Sequence, residues 1–119
     1  MSFQVGDFVK TSGSGIRHLI PNGQDQDFYY WNDVEDWPNE KVLKSDPNCF
    51  VVTAARQDSG LPVEIGLKTD GLAGRIVDSV GDYHLVRFKT GSEVLVSGNW
   101  IEPLSPLIIL AGAFDDVLA

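Results

Sequence analysis

Cysteine is nearly absent from this sequence, since Cys49 is the only one in 119 residues. A single thiol excludes an internal disulfide and any zinc site that needs several cysteine ligands. Long apolar runs are also missing, because no stretch approaches the ~20 residues that a membrane-spanning helix requires. The first residues carry neither the basic nor the apolar region of a signal peptide. We therefore expect a chain without disulfides, membrane contact or signal peptide.

Basic residues are scarce and unevenly placed. Nine Lys and Arg stand against 17 Asp and Glu, which gives a formal net charge of −8. Residues 24–40 contain no basic residue, while their acids are Asp25, Asp27, Asp33, Glu35, Asp36 and Glu40. Proteins hold a phosphate backbone with clustered Lys and Arg side chains, and an acidic segment repels it. The charge pattern therefore predicts that the chain does not bind nucleic acid.

What the sequence does contain is a series of short β-prone segments separated by turn residues. Residues 72–104 hold apolar and β-branched stretches interrupted by Gly81-Asp82 and Thr90-Gly91-Ser92. Strands joined by such short turns form an antiparallel meander. A short meander removes its open edges best by curling into a small barrel. We predict one mostly β domain with a barrel core (3–10 and 48–104, including a buried strand at 50–55), an inserted loop (12–47) and a C-terminal arm (105–119).

Aromatic residues are concentrated in the acidic part of the inserted loop. Phe28, Tyr29, Tyr30, Trp31 and Trp37 lie within ten consecutive positions. Large aromatic side chains dominate the energetics of protein–protein contacts, so the cluster predicts a protein-binding patch. The other interpretation is that these rings cover one end of the barrel and anchor the loop. Both interpretations hold if some rings point inward and others outward.

No recognisable catalytic or metal-binding motif accompanies the acids. The segment from Asp25 to Tyr29 departs from a calcium-binding loop at the third ligand and at the glycine. Cys49, His18 and His84 are isolated in the sequence, and no Gly-x-Ser-x-Gly motif is present. We therefore expect no enzymatic activity, no catalytic or metal-binding residues and no cofactor.

Two arginines, Arg75 and Arg87, fall on consecutive predicted strands and should lie side by side on the barrel surface. Neighbouring guanidinium groups bind carboxylates well. The pair therefore predicts a contact with an acidic partner or with the acidic loop of a second copy. The alternative is that both side chains are solvated surface charges.

The C-terminal part of the chain is almost entirely apolar. Its candidate contact residues are Leu107, Ile108, Ile109, Leu110 and Phe114. A segment of this composition aggregates when it is left loose in water. It therefore packs on its own domain as a further element, or docks as an arm on a neighbouring subunit.

The glycine and aspartate positions of two segments resemble those of the SH3-like barrels of the KOW class. The segments are Val5-Gly6-Asp7-Phe8-Val9 and residues 74–88, with Gly74, Ile76-Val77-Asp78, Gly81-Asp82-Tyr83, Leu85-Val86 and Phe88. The pattern is also similar to SH3-like accessory subunits of photosynthetic electron-transfer complexes, namely subunit O of the NAD(P)H dehydrogenase-like complex and the variable chain of ferredoxin–thioredoxin reductase. It is similar, too, to barrel modules in tailed-phage heads, necks and tails. The resemblance implies an SH3-like fold and a non-catalytic protein that holds other proteins together.

A barrel with a long decorated loop and an apolar arm matches the phage modules best. We therefore predict a non-enzymatic structural subunit of a virion head, neck or tail, found in the virion or the cytoplasm. Its partners are other protein subunits or copies of itself. The alternative is an accessory adaptor of a redox complex, in which a basic surface around Arg75, Arg87 and Lys89 faces an acidic partner such as ferredoxin. A small hydrolase with an acidic site in the loop is the third hypothesis.

Overall fold

The computed structural model describes residues 3–13, 15–31, 35–55 and 60–104. In these ranges no helix is long and apolar enough to cross a membrane. A single 3-10 turn spans Gly98–Trp100. The strands are β1 (Phe8–Thr11), β2 (Ile16–Leu19), β3 (Gly23–Gln24), β4 (Phe28–Tyr30), β5 (Lys41–Leu43), β6 (Cys49–Ala55), β7 (Pro62–Lys68), β8 (Ala73–Val80), β9 (Tyr83–Phe88), β10 (Glu93–Ser97) and β11 (Ile101–Pro103).

The strands form two antiparallel sheets. The large sheet has the order β11-β1-β8-β9-β10-β5-β4-β3, and the small sheet has the order β2-β7-β6. The prediction of a mostly β domain with antiparallel pairing is confirmed.

The predicted meander corresponds to β8, β9 and β10. Val86 in the middle strand lies opposite both Ile76 and Val94, so apolar residues stand side by side across the three strands. The turns between them need glycine, because Gly81 has φ 57° and Gly91 has φ 109°. Side chains rarely tolerate these backbone angles, which explains why short glycine turns marked this region in the sequence.

The hydrophobic core lies between the two sheets and draws on both. From the small sheet come Leu19, Ile65 and Leu67, which are almost fully buried. They pack against buried residues of the large sheet and of the segment after β4, which are Val9, Trp31, Val42, Ile76, Val86, Phe88, Val94 and Ile101. The core therefore fixes the small sheet against the large one.

Residues 12–47 differ from the predicted loop. They contain β2, β3, β4 and β5, and these strands belong to both sheets. The strands escaped prediction because each has at most four residues, and because β2 pairs with β7, far away along the chain. The turn formers of this segment lie between its strands, with Pro21 and Asn22 between β2 and β3, and Pro38 and Asn39 between β4 and β5.

The apolar run 50–55 forms a strand, but the expectation that it is buried is wrong. It forms most of β6, an edge strand of the small sheet, and Phe50, Val51 and Val52 are exposed. The described part of the chain contains no strand beyond β6, so its outer backbone groups face away from the sheet. An uncharged apolar edge of this kind readily pairs with other chains.

Candidate functional site

An open cleft lies where the start of β9 meets the end of β10 and the 3-10 turn. Tyr83 opens β9 and pairs with Ser97, the last residue of β10. The 3-10 turn follows Ser97 directly and ends at Trp100. The Tyr83 and Trp100 rings line a cavity of ≈ 270 Å³, which we call the aromatic cleft; its walls also contain Arg17, Thr69, Leu95, Val96 and Ser97.

The position of the Trp100 ring is set by the backbone beside it. A Cβ atom on Gly13 would lie 2.2 Å from Cε3 of Trp100, so the ring rests directly on the Gly13 backbone. The Ser12 amide donates to the Trp100 carbonyl oxygen at 2.8 Å, and the Ser97 hydroxyl accepts from the Asn99 amide at 3.3 Å. Trp100 is nevertheless 57% exposed. The indole is therefore held in place and also presented to solvent.

Trp37 extends the rim of the aromatic cleft. Its ring centroid lies 5.6 Å from that of Tyr83, with the two planes tilted by 39°. Trp37 is 39% exposed and Tyr83 is 43% exposed. Exposed apolar groups gathered in one place mark interaction surfaces, whereas single exposed rings do not. Two large exposed rings that line one cavity, with the exposed Trp37 packed against one of them, therefore identify the aromatic cleft as the candidate site.

Two lining residues of the cleft, Arg17 and Leu95, belong to a buried ionic network centred on Glu40, which is only 7% exposed. One carboxylate oxygen accepts from the Leu95 amide at 2.6 Å and lies 3.3 Å from the Arg17 guanidinium. The other oxygen accepts from Nε1 of Trp31 at 2.9 Å. Arg17 also donates to the Leu95 carbonyl oxygen. Since Arg17 belongs to the small sheet and Leu95 to the large one, this network joins the two sheets.

The network also sets the electrostatics of the cleft. The positive charge of Arg17 is compensated by Glu40, so the cleft lining holds no unpaired cation to attract an anion. The exposed walls are mainly the faces of Tyr83 and Trp100. This arrangement favours an apolar or aromatic group from a partner over a charged one.

The structure divides the predicted aromatic patch. Trp31 is buried in the core and bonded to Glu40, so its ring is not part of a surface. Phe28 and Tyr29 on β4 are half-buried, with the Lys41 ammonium 4.5 Å from the Phe28 ring centroid and the Lys44 ammonium 5.2 Å from that of Tyr29. These rings belong to the far end of the large sheet, away from the aromatic cleft in strand order.

Tyr30 is held by Asp25, to which its hydroxyl donates a hydrogen bond. The bond raises the pKa of Tyr30 above its ordinary value of 10.0, because ionising the phenol would break it. The same bond, together with the Phe28 and Asp27 amides, lowers the pKa of the Asp25 carboxyl. The turn before β4 is thus organised around this carboxylate.

We expect Asp25→Asn to lower the pKa of Tyr30 towards 10.0, because the anionic acceptor is lost. The folded-state pKa of Tyr30 lies above the unfolded one, so its contribution to stability is complete below pH ~10 and disappears as the pH rises through the folded value. Ring NMR shifts of Tyr30 followed through alkaline pH measure the change. Asp27→Asn serves as control and should produce a smaller shift, since Asp27 acts on Tyr30 only through its charge.

The two arginines lie directly opposite each other on β8 and β9, as expected from their positions. Each is engaged within the chain. The Arg75 guanidinium lies 5.3 Å from the Phe8 ring centroid and its Nε donates to the Gly6 carbonyl oxygen at 3.4 Å. The Arg87 Nε donates to Glu93 at 3.0 Å. Their contact with an acidic partner stays a prediction.

The described part of the chain ends at Leu104, which is buried and whose amide donates to the Phe8 carbonyl oxygen at 3.1 Å. The remaining predicted contact residues lie outside the described residues; they are Leu107, Ile108, Ile109, Leu110 and Phe114. Their role as an arm stays a prediction.

Two residues of the aromatic cleft were missed by sequence reasoning. Tyr83 begins a strand whose next residues are buried on both faces. The strand therefore lacks the alternation of apolar and polar residues that would have shown the Tyr83 ring to be exposed. Trp100 follows Gly98 and Asn99, both turn formers, and a tryptophan after such a pair is a usable signal of a surface position.

The described residues show limited potential for chemistry elsewhere. Among them, no group of three or more His, Cys, Asp or Glu side chains is placed to hold a metal ion. Cys49 is half-buried, and burial, followed by the nearby Asp46 carboxylate, raises the pKa of its thiol. A thiol with a raised pKa is a poor nucleophile at neutral pH.

No protein-family model matches this sequence, and neither a curated protein nor a solved structure shows significant similarity to it. The function must therefore be argued from the geometry of the site.

Proposed function

We propose that this chain is a non-enzymatic protein-binding subunit and that the aromatic cleft is its contact surface. The observation that carries the proposal is a set of three exposed rings: Tyr83 and Trp100 line the cavity, and Trp37 packs against Tyr83. Tryptophan and tyrosine are enriched among the residues that dominate binding energy at protein interfaces. The Trp100 ring is already fixed against Gly13, so the Trp100 side chain loses little conformational entropy when a partner binds.

We propose that an SH3-like barrel presents this surface, and the order of the strands is the argument for it. In the large sheet, β11, β1, β8, β9 and β10 are consecutive neighbours, and the 3-10 turn directly precedes β11. A register shift between Ile76 and Asp78 marks a bulge in β8, and bulges bend a strand so that a sheet can curl. The large sheet extends this unit with β5, β4 and β3, which are additions to a minimal barrel.

We further propose that the setting is a multi-subunit assembly, with a virion head, neck or tail as the first choice. The alternative, a redox adaptor, needs arginines that are available to an acidic partner. The Arg87 guanidinium is ion-paired with Glu93, and Arg75 is stacked on Phe8, which supports the assembly subunit over the adaptor. In both settings the partner is a protein, either another subunit or a second copy of the chain.

To test the proposal, peptides that bind the purified chain are selected from a random peptide library. We expect the selected peptides to be rich in apolar or aromatic residues and to change tryptophan fluorescence on binding. Trp100→Ala should weaken the binding of these peptides by about tenfold or more, as expected for loss of a dominant contact. Phe50→Ala, which removes an exposed ring outside the cleft, is the matched control and should leave the affinity unchanged.

Equal affinity of the selected peptides for the wild-type chain and for Trp100→Ala would contradict the proposal, and so would a selection that yields no binder. Light scattering over a concentration series then separates the two kinds of partner. A mass that rises with concentration, and falls again in Trp100→Ala, indicates that the cleft binds a second copy.

A further inference from the structure

A second and larger cavity shares the lining residue Ser97 with the aromatic cleft. Its volume is ≈ 550 Å³, within the usual range of ligand sites, and it lies between the β8–β9 turn, the 3-10 turn and β11. Its polar lining residues are Asp82, His84, Ser97, Asn99 and Glu102, and its apolar wall includes Phe3. We call it the acidic pocket. Ser97 is a lining residue of both cavities, whereas Trp100 lines only the aromatic cleft.

His84 is the most informative residue of the acidic pocket. Its side chain is 7% exposed, and the Ser79 hydroxyl lies 2.7 Å from Nδ1. Its other ring nitrogen, Nε2, makes no hydrogen bond to any described residue. A Cβ atom placed on Gly98, another lining residue, would lie 3.6 Å from Nε2, so this nitrogen is directed at the pocket wall.

Nε2 is therefore the polar atom of His84 that the described residues leave without a hydrogen-bond partner, and His84 is a lining residue of the acidic pocket. Nearly all buried polar groups in proteins are hydrogen-bonded, so the imidazole of a buried histidine with one such nitrogen points to a further partner at the pocket.

The charge of the acidic pocket selects the sign of that partner. Asp82 and Glu102 are exposed, and neither carboxylate forms an ion pair or side-chain hydrogen bond within the described residues. No Lys or Arg is present among the lining residues. Two uncompensated carboxylates repel anions and attract a cation. Among the described residues no group of three or more His, Cys, Asp or Glu side chains is placed to hold a metal ion, which favours an organic cation over a metal ion.

We propose that the acidic pocket binds a guanidinium group. A guanidinium is planar and carries five N–H donors, so it can bond to carboxylates at different positions while its face packs on an aromatic ring. The pocket provides these acceptors in Asp82 and Glu102, a further one in Nε2 of His84 when Nδ1 carries the proton, and the ring of Phe3, 5.9 Å from the His84 ring. An ammonium group has three donors on a compact, strongly hydrated centre and uses this surface less well.

The test is a titration of the purified chain with argininamide, followed by NMR of the His84 imidazole. We expect saturable shifts of the His84 signals. Citrullinamide, which has nearly the same shape without the charge, should produce none, and lysinamide should bind about tenfold more weakly because it lacks the planar fork. The double variant Asp82→Asn/Glu102→Gln should lose affinity for argininamide by about tenfold or more.

The matched control is Asp27→Asn/Asp70→Asn, which removes two exposed acids outside the pocket and should leave the affinity unchanged. Absence of His84 shifts, or equal binding of citrullinamide, would overturn the proposal. Equal binding of lysinamide would overturn the choice of guanidinium over other cations. Both pocket residues that are changed are exposed, so we expect the double variant to fold, and its thermal unfolding verifies this.

A final comparison identifies the source of the guanidinium. A capped Ala-Arg-Ala peptide that binds at least as well as argininamide indicates an arginine side chain of a partner protein. Binding of argininamide alone indicates a small molecule. Trp100→Ala should bind argininamide like the wild-type chain, since Trp100 does not line the acidic pocket. The acidic pocket and the aromatic cleft are therefore tested independently of each other.

Discussion

Glu40→Ala should lower the free energy of unfolding by about 3–5 kcal/mol, the cost of removing one partner from a buried ionic network. The Leu95 amide and the Trp31 indole N–H would lose their acceptor, and Arg17 would keep a partly buried charge without a counterion. Typical domains have only about 5–15 kcal/mol of stability in total, so the loss is a large fraction of it. Urea unfolding followed by circular dichroism measures the change through the midpoint and the slope.

Two further variants separate the roles of charge and hydrogen bonds at Glu40. Glu40→Gln keeps one oxygen acceptor and should lose less stability than Glu40→Ala. Glu102→Ala removes an exposed carboxylate from β11 and should change the free energy of unfolding by less than about 0.5 kcal/mol, as is usual for surface sites. A Glu40→Ala variant within about 1 kcal/mol of the wild-type chain would show that the buried bonds do not form, since each unsatisfied group costs that much.

Gly74→Ala should lower the free energy of unfolding by about 2–3 kcal/mol, at the upper end of overpacking effects. The added methyl would lie 2.6 Å from Cγ1 of Val86 and 2.7 Å from the Arg87 carbonyl oxygen. The carbonyl belongs to β9, which is paired on both sides with β8 and β10, so it cannot move away without breaking those pairings. The measurement is again urea unfolding of the purified variant.

Gly23→Ala is the control for this substitution. It also places a methyl on a strand glycine, but the nearest atom, Cβ of Tyr30, is 4.0 Å away, an ordinary contact. Its stability should stay within about 0.5 kcal/mol of the wild type, as for other tolerated surface changes. If both alanine variants lose the same stability, the close approach of β8 and β9 is not the reason for the glycine at position 74.

The meander β8–β10 could be predicted because its information is local. Gly81 and Gly91 stand where the backbone needs positive φ, and each of the three strands that they connect contains apolar residues. The short strands β2 to β5 could not be predicted in this way. Each has at most four residues, and two of them pair with partners far along the chain, since Arg17 lies opposite Leu67 and Lys41 opposite Glu93. Local periodicity does not contain such information.

The candidate site was only partly predictable for the same reason. Trp37 was identified as a contact residue, but its neighbour Tyr83 is 46 positions away in the sequence and meets it only through the fold. Glu40 was counted only among the acids of residues 24–40, because nothing in its own segment shows that Arg17 and Leu95 bind it. The exposure of β6 was missed because a run of apolar residues has the same sequence pattern in a central strand and in an edge strand.

The position of Arg17 has a consequence for how binding and folding are linked. This residue belongs to β2 of the small sheet, yet it lines the aromatic cleft and is bonded to Leu95 of the large sheet. A partner that fills the cleft therefore contacts both sheets and binds only when they are docked. By mass action, its binding energy suppresses local opening of the small sheet. Occupation of the cleft thus stabilises the docking of the two sheets, while the outer edge of β6 stays exposed in the docked state.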